Sequence, residues 1–311
     1  MNAIELKNLV KKYNGVAVVD NLNLNINEGD IHGFLGPNGA GKSTTINMIC
    51  GIIKPTSGKI NVYSMDNKKC FNEIKNYIGL VPQNIALYTQ FTARENVMFF
   101  GRLYNLKGRE LKKSVDEALK LTGLSEFSDK KVEHFSGGMK RRLNISCGIV
   151  HKPKIIIMDE PTVGIDPQSR NHILNSIKVL NKNGSTVLYC THYMEEVEAI
   201  CNRISIIDYG KEIVTGTKED LKNKVRENRV LELSLDKYDK EVILGLKSIE
   251  GVKQVNVDDN LIKIIVIKDV HNLSSIVNYL ARKGLKIIHI NYSDITLEMV
   301  FLTLTGNKLR D

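Results

Sequence analysis

One short string in this sequence has the residue types and the spacing that bind phosphate groups. It reads GPNGAGKST and fits the pattern G-x-x-x-x-G-K-[ST] of a phosphate-binding loop. In such a loop the backbone N–H groups and the N-terminus of the following helix form a cradle for anions. We therefore predict that Lys42 reaches the β- and γ-phosphates of a nucleoside triphosphate and that the Ser43 hydroxyl ligates Mg²⁺. The predicted nucleotide-binding residues of the loop are Gly36, Pro37, Asn38, Gly39, Ala40, Gly41, Lys42, Ser43 and Thr44.

Two adjacent carboxylates stand at the end of an apolar segment later in the chain, IIIMDEP. An aspartate at the end of a buried strand can hold Mg²⁺ through its water shell, and we predict this role for Asp159. The next residue, Glu160, is then placed to orient or deprotonate the water that attacks the terminal phosphate. The loop and the carboxylate pair together predict hydrolysis of the nucleotide.

A second glycine-bearing turn, FSGGMKRR, runs from Phe135 to Arg142 and has cationic neighbours. It lies too far along the chain to belong to the first loop, and each of the two motifs occurs once. A nucleotide site that needs both motifs, with one copy of each per chain, indicates a protein that acts in pairs.

The segments around these motifs predict an α/β fold. Residues 3–36 read as strands separated by turn signals, the last strand runs into the phosphate loop, and TTINMICGII continues as a helix. Between residues 85 and 132 the apolar period becomes helical: Thr92 can cap a helix ARENVMFFGRLYNL, and GRELKKSVDEALKLTGL predicts another. From residue 154 to residue 216 strand-like and helix-like segments alternate, which predicts a mainly parallel, buried sheet.

The remainder of the chain has a different character. A charged, helical connector is predicted over residues 218–229. Beyond it the order strand, helix, strand, strand, helix, strand predicts a ferredoxin-like α+β domain over residues 230–311, closed by a helix LEMVFLTLTG. We therefore predict a nucleotide-binding domain over residues 1–217, with a helical subdomain at about residues 85–150, followed by the connector and the smaller domain.

Composition describes an ordinary globular protein. The chain has 311 residues, of which 42% are hydrophobic and 25% charged, enough for one large domain and a smaller one. No run approaches the ~18 consecutive apolar residues of a membrane span, and the N-terminus lacks the apolar core of a signal peptide, so we expect a cytoplasmic chain. The five cysteines form no C-x-x-C pair and are expected to be reduced. The net charge of +9 comes from scattered lysines, which favours a solvated surface over a nucleic-acid site.

The motifs GPNGAGKST, FSGGMKRRL, IIIMDEPTVGIDP and CTH, in this order, resemble the nucleotide-binding domain of an ATP-binding-cassette (ABC) transporter over roughly residues 1–217. The resemblance implies a phosphate-loop NTPase cassette with a mainly parallel core sheet, an N-terminal antiparallel β subdomain and a helical insert, and it implies ATP and Mg²⁺ as cofactors. By the same resemblance Tyr13 stacks on the adenine, and Gln83 meets Mg²⁺ and the attacking water and senses the transmembrane partner. His192 contacts the γ-phosphate and positions Glu160.

The resemblance also assigns the second turn to the nucleotide of a neighbouring chain. Ser136, Gly137 and Gly138 match the signature turn, which in this family closes on the γ-phosphate of ATP held by the partner chain. Asp166 matches the loop that crosses the dimer interface beside the opposing site. The N–H groups of the turn head a helix, so the anion-binding physics of the first loop applies there too. The family therefore implies a homodimer in the ATP-bound state.

Two features indicate one branch of the family. The commonest signature has Leu before the serine and Gln after the glycines, where this chain has Phe135 and Met139, and FSGGM is a form found in exporters of drugs and antibiotics. The closing segment DITLEMVFLTLTGNKLRD resembles the tail of daunorubicin-resistance-type export ATPases. The apolar residues of this tail, which are expected to pack rather than bind a ligand, are Leu297, Val300, Phe301 and Leu304.

The leading hypothesis is the ATPase subunit of an exporter, paired with itself and docked from the cytoplasmic face on a separately encoded membrane permease. The resemblance implies a drug, an antibiotic or a lipid-like molecule as the exported substrate. Two alternatives stay open. An importer ATPase could sense its solute through the C-terminal domain, although FSGGM and the tail argue against it. A soluble cassette ATPase could act on ribosomes or DNA, but such members carry a second cassette or a long coiled coil and the sequence shows neither, so no nucleic-acid partner is predicted.

Overall fold

The computed structural model describes residues 1–225, 228–258, 261–267, 272–293 and 296–305. The chain divides into two compact units, of which the first is Met1–Thr217 and the second begins at Lys218. Among the described helices, none combines the length and the apolar character that crossing a membrane requires.

The first unit contains ten strands and seven α-helices among its described residues. Its strands are β1 (Asn2–Tyr13), β2 (Val16–Asn27), β3 (Ile31–Leu35), β4 (Ser57–Val62), β5 (Met65–Asp66), β6 (Ile78–Val81), β7 (Ile155–Asp159), β8 (Thr186–Thr191), β9 (Arg203–Asp208) and β10 (Lys211–Thr217). Its helices are α1 (Lys42–Ile49), α2 (Phe71–Ile74), α3 (Ala93–Leu103), α4 (Gly108–Leu121), α5 (Gly137–Ile149), α6 (Pro167–Lys182) and α7 (Met194–Ile200).

A mainly parallel sheet forms the centre of the first unit and confirms the predicted core. Its strand order is β10-β9-β3-β8-β7-β6, and within the described residues only β10 runs antiparallel to its neighbour. Strands β7 and β8 are buried along their whole length, as expected for strands covered on both faces. Strands β3, β6, β7 and β8 end on the same edge of the sheet, and the loops that follow them carry the predicted catalytic residues. Those residues therefore meet at the carboxyl edge of the sheet.

A second sheet confirms the predicted antiparallel subdomain. Its order is β2-β1-β4-β5, with antiparallel neighbours throughout. One continuous core contains Leu6 and Ile26 of this sheet, Ile46 of α1 and Ile157 of β7, and each of these side chains is at most 1% exposed. The antiparallel sheet thus packs on the elements that hold the phosphate loop.

Helices α3, α4 and α5 form the predicted helical insert. Thr92 begins α3 with a capping box, because its hydroxyl accepts the Glu95 N–H and the Glu95 carboxylate accepts the Thr92 N–H. The helix ends at Leu103, earlier than the predicted Leu106, because Asn105 turns into the left-handed region at φ 63°.

The end of α1 and the presence of strand β6 also differ from the prediction. α1 ends at Ile49, although the helical string was expected to continue to Ile53, because Gly51 takes φ 65° and stops the helix. Strand β6 is not predicted from the sequence, since its four residues are too few to show a period.

The second unit contains α8 (Lys218–Asn223), β11 (Asn228–Leu235), α9 (Lys240–Lys247), β12 (Val252–Asp258), β13 (Leu261–Ile267), α10 (Asn272–Arg282), β14 (Ile287–Ser293) and α11 (Leu297–Thr305). Its sheet has the order β12-β13-β11-β14 with antiparallel neighbours, which confirms the ferredoxin-like arrangement. Helices α9 and α10 cover one face through an aliphatic core that includes Leu231 and Ile264. On the opposite face Met299 of α11 packs with Val230 and Ile265.

The tail helix α11 packs largely as predicted. Leu297, Val300 and Phe301 are buried, but Leu304 is 37% exposed, so its expected place in the packed face is wrong. Residues 294–295 and 306–311 of the closing segment lie outside the described residues.

The predicted connector, residues 218–229, is helical only over α8, and β11 already begins at Asn228. Leu221 and Val225 are buried despite the many charges around them. The segment is therefore a packed part of the second unit as far as residue 225, which the charge pattern alone does not indicate.

Candidate functional site

The phosphate loop turns sharply from β3 into α1, and two of its glycines are required by that turn. Gly41 takes φ 97°, and a Cβ added there would lie 2.7 Å from the Val18 carbonyl oxygen. A Cβ on Gly36 would lie 2.5 Å from the Ile207 carbonyl oxygen. The loop therefore fits between β2 and β9 only with a bare backbone at these two positions.

The Lys42 ammonium lies in the mouth of this loop. Its side chain is 5% exposed, and Nζ donates to the carbonyl oxygens of Gly36, at 2.7 Å, and Pro37, at 3.1 Å. Nζ also lies 3.5 Å from Oε1 of Glu160, with which it forms an ion pair. The loop thus holds a buried positive charge beside the carboxylate at the end of β7.

The Asp159 carboxylate is buried beside the Ser43 hydroxyl. Burial raises the pKa of Asp159 and the Glu160 charge adds to the rise, while a hydrogen bond from Ser43 and the Lys42 charge oppose it. Asp159 Oδ1 is buried and has no hydrogen-bond partner among the residues that the structure describes. A hydroxyl and a buried carboxylate oxygen without a partner are ligands that suit a hard cation such as Mg²⁺. The residues present therefore fit the metal that the sequence predicts.

Glu160 is held in a strained backbone conformation with both carboxylate oxygens engaged. Its φ is 47°, a value that costs a residue other than glycine about 1 kcal/mol or more, and its N–H donates to the Cys190 carbonyl oxygen at 2.9 Å. Oε1 lies 3.1 Å from Nδ1 of His192, and Oε2 accepts from Nε2 of Gln83 at 3.4 Å. The structure therefore brings three predicted catalytic residues together, with Lys42 as their fourth neighbour.

The signature turn lies in a second group, with the predicted dimer loop. Ser136 caps α5 by accepting the Met139 N–H at 3.2 Å. A Cβ added to Gly138 would lie 2.7 Å from the Ser169 Cβ and 3.0 Å from an Asp166 carboxylate oxygen. Asp166 caps α6 through the Ser169 N–H at 2.8 Å, and this hydrogen bond lowers the pKa of Asp166. The turn and the loop therefore form one packed surface.

Tyr13 lies at the end of β1, where it pairs with Val16 of β2. The carbonyl of Val18, also on β2, faces Gly41, so the end of β1 that carries Tyr13 is close to the phosphate loop. The Tyr13 ring is 46% exposed, and the Lys11 ammonium lies 4.9 Å from its centroid. An aromatic ring in this position is accessible to a planar base.

Sequence reasoning misses the residues that hold the loop after β6, and two of them lie on α5. Arg141 donates from Nη1 to the Pro82 carbonyl oxygen at 3.0 Å, and the Asn144 amide donates to the same oxygen at 3.4 Å. Asn144 Oδ1 also accepts the Ala86 N–H at 3.3 Å. The helix behind the signature turn thus holds the loop that carries Gln83. The KRR string contains Arg141 but indicates only a cationic neighbourhood, and no sequence signal marks Asn144.

A phosphate loop and catalytic carboxylates at the edge of a parallel sheet, joined on one chain to a signature turn, define a cassette ATPase. The chain belongs to the ABC transporter family, since the family described as ABC transporter matches residues 19–163 and full-length relatives match the whole chain. It is 43% identical to the linearmycin resistance ATP-binding protein LnrL of Bacillus subtilis (strain 168), over 99% of this chain and 100% of that protein. It is 33% identical to the daunorubicin resistance ATP-binding protein DrrA3 of Streptomyces coeruleorubidus, over 99% of this chain and 97% of that protein.

Solved structures agree with this assignment. An ATP-binding cassette named MJ0796, in a dimeric post-hydrolysis state with ADP and Pi, matches with a TM-score of 0.63 and 31% identity, over 69% of this chain and 98% of that chain. An ATP-binding subunit of an ABC transporter matches with a TM-score of 0.66 and 26% identity, over 71% of this chain and 92% of that chain. The predicted membership of the drug-resistance type of ABC ATPases is confirmed, and the chain is an ATP hydrolase.

Proposed function

We propose that two copies of this chain close head to tail around two ATP molecules and drive export through a separately encoded permease. The main support is the division of the site residues into two groups on one chain. Lys42, Asp159 and Glu160 form one group, and Ser136 and Asp166 form the other. Each nucleotide would lie between the first group of one copy and the second group of its partner.

The first group supplies the chemistry of hydrolysis. Glu160 would orient the attacking water and accept its proton, and His192, whose Nδ1 lies 3.1 Å from the carboxylate, would contact the γ-phosphate. Ser43, Asp159 and Gln83 are the residues that would hold Mg²⁺. When bound, Mg²⁺ would neutralise charge that develops on the phosphate oxygens. Lys42 would meet the β- and γ-phosphates from the loop.

The second group supplies anion binding from the partner. α5 is 13 residues long, and its N-terminus carries the Gly137 and Gly138 N–H groups beside the Ser136 hydroxyl. Because Asp166 packs on the same turn, closing of the dimer would move the turn and the dimer loop as one piece. This arrangement supports a site that is complete only in the dimer.

A partly exposed aromatic surface follows Gln83 and is the proposed contact for a cytoplasmic segment of the permease. Tyr88 is 48% and Phe91 41% exposed, and their rings stack at 5.4 Å. Phe99 meets Tyr88 edge to face at 5.0 Å. Aromatic side chains are enriched at protein interfaces, and this surface adjoins the loop that reaches Glu160. The chain would therefore act as a peripheral subunit on the cytoplasmic face of the membrane.

The relatives support export as the direction of transport. LnrL and DrrA3 are named for resistance to linearmycin and daunorubicin, which favours a drug, an antibiotic or a lipid-like molecule as the substrate that the permease handles. Residues 1–217 would form the motor, and residues 230–311, joined by the segment 218–229, would form an accessory domain without nucleotide chemistry or a nucleic-acid partner.

The test is the Glu160→Gln variant, which keeps the shape of the side chain and removes its capacity as a base. It should retain ATP, hydrolyse it about 1000-fold more slowly, and run as a dimer in light scattering with ATP and Mg²⁺. Glu212→Gln, at an exposed position on β10, is the matched control and should stay a monomer that hydrolyses normally. A Glu160→Gln variant that remains monomeric with ATP, while the unaltered protein hydrolyses, would refute the shared site.

The permease contact has a separate test. Phe91→Ser should leave the ATPase activity of the isolated chain intact, because Phe91 has no contact with the first group of site residues. In cells that express the cognate permease it should lower drug resistance and reduce recovery of the complex. Normal resistance and normal recovery would exclude this surface as the contact.

A further inference from the structure

A buried carboxylate in the first turn of α7 lies outside the two groups of site residues. Glu196 is 3% exposed. Its Oε2 accepts hydrogen bonds from the Thr162 hydroxyl at 2.8 Å, the Tyr189 hydroxyl at 2.8 Å and the Thr191 hydroxyl at 3.4 Å. Its Oε1 lies 3.4 Å from Nε of Arg170. One side chain thus joins four different segments of the first unit.

Two of these partners flank the catalytic pair. Thr162 lies two positions after Glu160, and Thr191 directly precedes His192. The Thr191 hydroxyl also accepts the Tyr193 N–H at 2.9 Å, which fixes the backbone on both sides of the histidine. Glu196 therefore fixes the position of the segment that bears Glu160 relative to the segment that bears His192.

Another partner, Arg170, leads to the dimer loop. Arg170 lies one helical turn after Asp166, which caps the same helix α6. The Arg170 guanidinium lies 5.3 Å from the centroid of the Tyr193 ring, and that ring lies 4.2 Å from the ring of His192. A continuous path of contacts therefore runs from the dimer loop, through Arg170 and Glu196, to the histidine.

The energetics of the pair favour a positional role over a stabilising one. The Glu196 side chain is 3% exposed and that of Arg170 33%, and Nε of Arg170 and Oε1 of Glu196 form an ion pair without a hydrogen bond. An ion pair that takes charge out of water commonly adds little to stability compared with apolar side chains of similar size. Burial and the Glu196 charge hold the pKa of Tyr189 well above its ordinary value, so its hydroxyl stays protonated and donates. What the cluster does supply is one relative position for α6, α7, β8 and the loop after β7, because Glu196 contacts a residue on each of the other three.

We propose that Glu196 is a positioning residue that couples the two ATP sites: with Arg170 it links the dimer loop, which faces the partner's site, to His192 in its own site. This inference rests on the proposed head-to-tail dimer. When the dimer loop seats against the partner, the Arg170–Glu196 link fixes the histidine against Glu160. Hydrolysis in one site then depends on closure at the other.

The test uses the full-length protein and ATP with Mg²⁺. Glu196→Gln keeps the volume and the hydrogen-bond acceptor but removes the charge that faces Arg170. It should lower kcat about tenfold, keep KM for ATP within about twofold, and bring the Hill coefficient of hydrolysis from above one to one. Arg170→Gln should behave in the same way, and the double variant should be no slower than either single variant, because both act through one link.

A control separates positioning from loss of structure. Thr215 lies on the edge strand β10, and its hydroxyl contacts Ser205 of β9. Thr215→Val removes this hydroxyl, so it should lower the melting temperature but keep kcat and the Hill coefficient. Thr162→Val is a milder change at the site and should reproduce the loss of cooperativity with a smaller fall in kcat. In the Glu160→Gln background, Glu196→Gln should still form the ATP-bound dimer.

The outcomes distinguish this inference from the proposed function. If Glu160→Gln forms the dimer and Glu196→Gln keeps the unaltered kcat and Hill coefficient, the coupling role is wrong and the shared site stands. A Glu196→Gln variant whose KM and melting temperature change together with kcat would also overturn the inference, because its effect would then be structural. If Glu160→Gln does not dimerise with ATP and Mg²⁺, both the proposed shared ATP site and the coupling role of Glu196 are wrong.

Discussion

The carboxyl edge of the parallel sheet and the core of the ferredoxin-like unit bury very different side chains. At the edge, Lys42, Asp159, Glu160 and Glu196 are each at most 7% exposed and lie in contact with one another or with polar partners. In the described part of the second unit the buried side chains are apolar apart from Asn272, whose amide donates to the backbone. One region concentrates charge out of water, and the other avoids it.

The carboxyl edge of the parallel sheet contributes to activity, and the core of the second unit contributes to stability. Buried charge lowers stability unless it is fully partnered, so it persists where chemistry requires it. The second unit has no such cluster among its described residues, and its aliphatic core gives stability without a reactive group. Substitutions in the first region should therefore change activity more than stability, and those in the second should do the opposite.

The largest effect is expected for Lys42→Ala. Loss of the ammonium removes the charge that we propose meets the phosphates, so ATP hydrolysis should fall about 1000-fold and ATP affinity should fall with it. Steady-state kinetics and titration with a fluorescent nucleotide measure both. Lys59→Ala, at an exposed position on β4, should leave both values unchanged. Wild-type affinity in Lys42→Ala would place the phosphates elsewhere.

Gly138→Ala should come next. The added methyl group would collide with Ser169 and crowd Asp166, so it should displace the signature turn and lower kcat about 100-fold. Binding of ATP to a single chain should persist, because the phosphate loop is untouched. In Gly137→Ala the new Cβ meets nothing within 4 Å, so the loss should be clearly smaller. Equal losses would mean that packing against α6 is unimportant.

In the second unit, Ile264→Ala should cost about 3 kcal/mol of stability without changing kcat, since it leaves a cavity in a fully buried aliphatic core. Urea unfolding of the full chain, with hydrogen exchange to locate the loss, provides the measurement. Ile288→Ala, where the side chain is 66% exposed, should have almost no effect. A parallel fall in kcat would break the contrast, because the second unit would then take part in hydrolysis.

The smallest effect is expected on stability: Asp159→Asn should raise the free energy of unfolding by about 1 kcal/mol without Mg²⁺. Burial raises the folded-state pKa of Asp159 above its ordinary 3.8, so the folded protein binds a proton more tightly than the unfolded chain does. The free energy of unfolding of the native chain therefore falls as the pH rises from the unfolded-state pKa of Asp159 through its folded-state pKa. Below the unfolded-state pKa, Asp159→Asn should no longer be more stable than the native chain. Urea unfolding with EDTA at several pH values tests this, with exposed Glu126→Gln as the control.

Much of this site could be predicted because its chemistry lies in short contiguous strings. The phosphate loop, the carboxylate pair and the signature turn each specify their own local structure, and sheet topology then brings the first two together. The same holds for the ferredoxin-like order, since each of its strands and helices shows a clear period.

What could not be predicted depends on contacts between distant segments. Glu196 reads as an ordinary acidic residue in the first turn of a helix, and only the packing of Thr162 and Arg170 around it gives it a role. Arg141 is one of several cations after the signature turn, and nothing in the string indicates that it is buried against Pro82. The left-handed turns at Gly51 and Asn105 end helices that the apolar pattern would have continued.

The hydrogen bonds from α5 to the Pro82 carbonyl oxygen matter for the construction of hybrid transporters. A designer who wishes to fit this ATPase to a foreign permease would exchange the aromatic surface after Gln83, which we propose as the permease contact. Arg141 and Asn144, however, hold that segment from a helix that lies much later in the chain. A graft that stops short of α5 would pair a foreign loop with a native anchor. The exchanged segment should therefore extend from Pro82 through Ile149, so that the aromatic surface and the helix that holds it come from the same protein.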